Sequence, residues 1–280
     1  MRLWYAFMKC LPFGWASYRF MANALLAVLV MAPIFGILST NVVTGRMSFF
    51  SDALGHSAFT GIAIGVLCGM AFPICAAVLL ALLFAWLFTL VKEKSRQSAD
   101  TVIGVFSSTA VALGIFIATS GGGSFTKYNV FLIGDILSVT PGEIGLLALV
   151  LLAVAVIWYF FSNRILLVTL HPQLASSRGI SVRNYELLFT MVIAVVVTLA
   201  MSWVGLLVIN SLLVLPAATA RNLVRNMRQY LWVSVLLAVI CSLAGLFVSY
   251  FLASSTGAAI SLLLALCFAL SFLFRRHSNI

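Results

Sequence analysis

Long apolar runs, broken by short polar or Gly/Pro segments, repeat along almost the whole chain. Apolar runs of ~18 residues or more are long enough to cross a bilayer as helices. The pattern predicts nine spans, near residues 21–39, 48–69, 71–91, 101–119, 142–162, 185–203, 205–220, 230–252 and 257–274. A tenth apolar piece, VFLIGDILSV at 130–139, is too short to span. It reads as a re-entrant or gate helix, which is tolerated only where protein buries it or where it lines a cavity. The expected fold is all-α: a polytopic membrane protein of about 8–9 transmembrane helices plus that short piece. Residues 1–20 mix Arg2, Lys9 and Arg19 with aromatics and read as an interfacial segment; 21–280 form one transmembrane domain.

Composition supports the pattern. Of 280 residues, 64% are apolar and 8% charged, against roughly a quarter charged in soluble domains. The formal charge of +10 need not signal nucleic acid, because the cations are distributed by side. With nine spans and a cytoplasmic C-terminus, twelve of them fall on one face: Arg46, Lys92, Lys94, Arg96, Arg164, Arg178, Arg183, Arg221, Arg225, Arg228, Arg275 and Arg276. The opposite loops carry only Lys127, which is a strong positive-inside signal. The same count puts Arg2, Lys9 and Arg19 outside, so the span number and the N-terminal orientation stay open.

Several chemistries lack their residues. The chain has no GxxxxGK[ST] loop for phosphate binding. No Ser/His/Asp or Cys/His constellation suggests an enzyme, and the five scattered cysteines read as small hydrophobes. Energy for any transport must come from an ion gradient or from another polypeptide.

Within SFFSDALGHSAFTGIAIG (48–65), Asp52 and His56 stand four residues apart. On a helix they share one face, with Cβ atoms roughly 5–6 Å apart. A carboxylate at membrane depth costs ~2.5–3.5 kcal/mol and marks a functional site by default. One carboxylate and one imidazole suit Zn²⁺, Mn²⁺ and related ions; two ligands make a weak site, as a carrier needs. A symmetric dimer with the pair near its axis would supply four groups. A proton relay through the same pair is the physical alternative. Ala53, Ser57, Gly61, Gly65 and Gly69 form a small-residue seam about 100° around the helix, suited to close packing. Asp52, His56 and Thr60 are then free to face a cavity.

Other polar positions are weaker candidates. Asp100 and Glu186 open spans, and Thr140, Pro141 and Glu143 form a capping box. Glu186 is expected beside Arg183. Asp135 sits in a short apolar piece and is a possible pathway residue. Asn210 and Ser211, inside a span, are candidates for hydrogen bonds across helices or for support of the pathway, and Pro216 for a kink. His171 and His277 are expected in solvent. The longest cytoplasmic connection, 163–184, contains HPQLASSRGI, which predicts a short helix ended by Gly179. It is either a membrane-surface helix or a docking element for a soluble partner.

Four stretches in order, RMSFFSDALGHSAFTGIAIG (46–65), ADTVIGVFSSTAVALGI (99–115), FLIGDILSV (131–139) and VGLLVINSLLVLPAATARNL (204–223), resemble the permease subunits of the bacterial metal-ion ABC transporters for zinc, manganese and iron. The resemblance implies a homodimer in the bacterial cytoplasmic (inner) membrane. Its partners would be a cytoplasmic ATP-binding subunit and an extracytoplasmic metal-binding protein, with no nucleic acid. It also implies no resident cofactor: the cargo is Zn²⁺, or Mn²⁺ or Fe²⁺, and ATP acts only through the partner. Asp52 and His56 match the family's metal-contacting pair. The stretch with His171, Pro172, Gln173, Leu174, Ala175, Arg178 and Gly179 falls where the family has its coupling helix. The chain departs from the family at His171, where an acid often precedes this helix, and at Ile133, where an aromatic is common.

Overall fold

The computed structural model describes residues 18–95, 97–119 and 136–273, together with Trp4, Tyr5, Met8 and Gly134. Among them there are ten α-helices and no strand: α1 Arg19–Thr44, α2 Phe50–Leu67, α3 Pro73–Lys94, α4 Ala99–Thr119, α5 Pro141–Leu170, α6 Pro172–Ser177, α7 Val182–Val204, α8 Leu206–Leu223, α9 Met227–Leu252 and α10 Thr256–Ser271. Helices satisfy every backbone group within one segment, which the bilayer interior requires. Eight are long and apolar enough to cross a membrane. The ninth expected span, α10, has 16 residues, or ~24 Å. It begins at Thr256, one residue before the expected start, and ends at Ser271, short of the expected 274. Of the expected gate piece, a single 3₁₀ turn at Ile136–Ser138 is described. Arg2, Lys9, Cys10, Arg96, Lys127, Ile133, Asp135, Arg275, Arg276 and His277 lie outside the described residues.

Side-chain registers give the direction of each helix. Gly61 meets Ala77 and Gly65 meets Pro73, so α2 and α3 run antiparallel. The Lys92–Glu186 pair and the Thr89–Thr190 contact (3.2 Å) set α3 against α7 in the same way. Ser39–Ser234 (2.8 Å) pairs α1 with α9, and Ser249–Thr256 (3.0 Å) pairs α9 with α10. Ser211–Ser261 (2.8 Å) and Asn222–Ser271 (2.8 Å) run α8 parallel to α10. These registers bring Arg46, Lys92, Arg164, Arg178, Arg183 and Arg221 to one end, the cytoplasmic end by the positive-inside rule.

Local signals behave as the residues dictate. Thr140 caps α5 through a reciprocal box with Glu143, with Pro141 at the first position. α5 continues past the expected 162 to Leu170 because Ile165, Leu166, Leu167 and Val168 extend its apolar face, which shortens the cytoplasmic connection. α6 ends in a Schellman turn: Gly179 has φ +72°, its N–H reaches Ser176 O at 3.0 Å, and Ile180 N–H reaches Ala175 O at 3.0 Å. Glu186 pairs with Lys92 rather than with Arg183, which instead meets Glu93 at 3.4 Å. Both expected partners exist, but tertiary contact between α3 and α7 exchanges them. At the opposite end Trp4 Nε1 donates to Ala22 O at 2.9 Å and Tyr5 Oη to Asn23 Oδ1 at 2.6 Å, so the described part of the leading segment packs on the start of α1.

Gly205 alone joins α7 to α8, with φ 85° and ψ 155°. That region is almost closed to residues bearing a Cβ, at a cost of about 1–3 kcal/mol. Gly205→Ala is therefore expected to lower the melting temperature of the detergent-solubilised protein. Gly145→Ala, at a helical position with open space around it, should leave it unchanged or slightly raised.

Candidate functional site

Asp52 lies in the first turn of α2, where a helix N-terminus favours an anion. His56 follows one turn later, with its Nε2 3.5 Å from Asp52 Oδ2. From α8, Asn210 Nδ2 donates to Asp52 Oδ1 at 3.0 Å. Asn210 Oδ1 is buried with no hydrogen-bond partner, so the amide leaves an acceptor oxygen beside the carboxylate. The result is a carboxylate, an imidazole and an amide oxygen drawn together from two helices. Among the described residues no three His, Cys, Asp or Glu side chains gather into a metal-holding group.

Depth follows from the two helices that meet here. Asp52 is near the cytoplasmic end of α2, while Asn210 is near the outer end of α8. They touch through the first turns of two 18-residue helices. Leu67, the outer end of α2, lies ~22 Å above Asp52, and Arg221 lies ~17 Å below Asn210 along the helix axes. The pair thus lies inside the bundle, nearer the cytoplasmic end of α2 than its outer end. Its side chains are also open on the outside of the single chain, His56 at 26% and Asp52 at 40% exposure.

The seam packs as its spacing suggests, over part of its length. A Cβ on Gly61 would lie 2.5 Å from Ala77 Cα, and one on Gly65 3.0 Å from Pro73 Cα. Ala53 and Ser57 are buried on the same stripe. Gly69 is not part of it: it has φ +64° and open space, and it turns the chain after α2. Thr60 does not face a cavity with His56. It is buried, and its hydroxyl donates to Ala110 O on α4 at 2.7 Å. Drift of an α-helix away from an exact i+4 repeat turns it toward α4.

Ser211 does not join the pair; it bonds Ser261 on α10 and Leu207 O. Asp135 lies outside the described residues. On the cytoplasmic face His171, Pro172, Gln173, Leu174, Arg178 and Gly179 are exposed, whereas Ala175 of α6 is fully buried. One polar residue escaped notice in the sequence. Asn41 is fully buried with neither amide atom hydrogen-bonded, and it faces a cavity of about 130 Å³ shared with Lys92, Glu186 and Pro172. An Asn in the last turn of an apolar helix carries no periodic signal that would have flagged it.

A scan of family models matches the ABC 3 transport family over residues 17–275. The chain belongs to that family. Among curated proteins, the manganese import system permease protein ScaB of Streptococcus gordonii is 31% identical, over 92% of this chain and 92% of its own. The high-affinity zinc uptake system membrane protein ZnuB of Haemophilus influenzae is 28% identical, over 93% of this chain and 99% of its own. Among solved structures, PsaBC from Streptococcus pneumoniae in complex with Fab aligns with a TM-score of 0.80 and 27% identity, covering 100% of this chain and 97% of that one. The family resemblance carried by the four sequence stretches is thereby established, and the helical membrane fold with it.

The Asp52–Asn210 bond generates a stability prediction. Interhelical hydrogen bonds in membranes are worth about 0.5–1.7 kcal/mol. In a double-mutant cycle, Asn210→Ala should destabilise by that amount in the wild-type background and by much less once Asp52 is Ala. Additive effects in detergent unfolding would deny the contact.

Proposed function

We propose that the chain is the membrane permease of an ABC importer, working as a homodimer that passes a divalent transition metal, zinc by preference, into the cytoplasm. In this reading Asp52 and His56 are transient ligands of the cargo, and Asn210 holds the carboxylate in place. ATP is hydrolysed by a separate subunit that docks on α6, and an extracytoplasmic metal-binding protein delivers the ion. The setting is the bacterial cytoplasmic membrane.

The observation that carries this reading is the position of the pair. A carboxylate 40% exposed on a membrane-spanning helix would cost up to ~2.5–3.5 kcal/mol against lipid, so something polar must cover it. A second copy across a two-fold axis presents the same two groups, and two carboxylates with two imidazoles make a tetrahedral set suited to zinc. Each ligand pair alone is weak, which favours release after passage. The preference for zinc rests on imidazole, a borderline ligand that suits it well. The relatives are named for zinc and for manganese at similar identity.

Two sets of variants test the proposal. Asp52→Ala and His56→Ala should each reduce uptake at limiting free Zn²⁺ by about tenfold or more, since each removes half of a two-ligand site. Protein level should hold, the melting temperature should hold for His56→Ala and fall slightly for Asp52→Ala, which loses the Asn210 bond, and excess Mn²⁺ should compete poorly. Unchanged uptake in both variants, or uptake by this chain alone driven by a pH gradient without ATP, would sink it. Leu174→Asp, at an exposed apolar position of α6, should strip the ATP-binding subunit from the purified complex without lowering the stability of the permease. Retention of that subunit would move the docking surface elsewhere.

A further inference from the structure

The end of α5, the turn after α6 and the start of α7 enclose an open cavity of about 860 Å³ at the cytoplasmic end, lined by Arg164, Arg178, Ser181, Asn184 and Tyr185. Arg164 Nη1 donates to Tyr185 Oη at 2.6 Å, and its guanidinium lies 5.9 Å from that ring's centroid, so the cation is held in one pose. No carboxylate among the described residues pairs with Arg164 or Arg178; the nearby acids Glu93 and Glu186 are taken by Arg183 and Lys92. Ser181 caps α7 without a side-chain hydrogen bond, which leaves the first N–H groups of a 23-residue helix at the cavity's edge.

The wall above this cavity is apolar and open. Leu149, Leu152, Val156 and Phe160 are exposed at i, i+3, i+7 and i+11 on α5, and Arg164 continues the same face. Tyr159 and Phe160 pack edge to face at a centroid distance of 5.3 Å, about one helical turn above Arg164, where interfacial aromatics sit. The face is thus hydrocarbon-compatible for ~17–22 Å and then cationic. That sequence of surfaces matches acyl chains followed by an anionic headgroup.

We propose that this cavity binds the phosphate headgroup of an anionic phospholipid of the cytoplasmic leaflet. Arg164 and Arg178 supply charge-assisted hydrogen bonds to the phosphate oxygens. The α7 N-terminus adds a partial positive charge. The lipid sits directly beside α6 and ties the position of that helix to the composition of the membrane.

The test uses the full chain in detergent, titrated with phosphatidylglycerol, phosphatidylcholine or inorganic phosphate and read by native mass spectrometry. Phosphatidylglycerol should be retained in preference to phosphatidylcholine. Arg164→Ala and Arg178→Ala should each weaken its retention about fivefold, while Arg164→Lys keeps most of it and melting temperatures stay level. Raised salt should weaken the binding. Equal retention of the two lipids, or no change in the double Arg→Ala variant, would overturn the proposal. Displacement of the lipid by equimolar inorganic phosphate would assign the cavity to a free anion and overturn it as well. So would loss of a co-purifying ATP-binding subunit with lipid retention intact, which would make the arginines docking residues.

Discussion

The rest of this bundle turns on how closely α2 approaches α3. Gly61 and Gly65 bring the two backbones so near that a Cβ on Gly61 would sit 2.5 Å from Ala77 Cα. In a bilayer, where burial of apolar surface does not drive helix association, this kind of backbone contact supplies the packing energy. It also fixes the rotation of α2. With the seam turned to α3, residues 100° away on the helix must point elsewhere, and Asp52 and His56 are carried to the edge that meets α8. A bulkier residue in the seam would push the helices apart and re-aim the polar pair.

Around that contact the bundle is held by many small polar links rather than by a few strong ones. Ser39–Ser234, Thr89–Thr190, Ser211–Ser261, Asn222–Ser271 and Ser249–Thr256 each join two helices. Most of these hydroxyls also bond a carbonyl one turn back, so each of these linking groups has a partner. Such links weigh little individually in membranes and set register. Among the described residues, the Lys92–Glu186 and Arg183–Glu93 pairs lie at the cytoplasmic end, where water lowers the cost of a charge. Asp52 and His56 form an ionisable pair within a membrane-spanning helix, and that is why they carry the functional reading.

Much of this was legible beforehand, and the reasons differ by element. Eight of the spans announced themselves because crossing hydrocarbon demands a long apolar helix. The capping box at Thr140 and the Gly179 turn were legible because caps depend on neighbours within four residues. The end of α5 was placed too early, since a run such as ILLV reads equally as helix or as an apolar loop. Thr60 was assigned to the wrong surface because position on a helix wheel says nothing of which neighbour lies opposite. The exchange of partners between Glu186 and Arg183 has the same origin: both depend on α3, 90 residues away in the chain.

The sequence by itself determined the membrane class, the bias of cations toward one end, the family resemblance and the i,i+4 placement of Asp52 with His56. All of these are local or compositional, and hydropathy, charge bias and helical periodicity act on them directly. Only the tertiary structure decided that Asn210 reaches Asp52, that the first turns of two 18-residue helices meet there, and that Arg164 and Arg178 share a cavity below an apolar wall. Those facts depend on where helices far apart in the chain come to rest against one another. Backbone close approach settles that, and no window of sequence contains it.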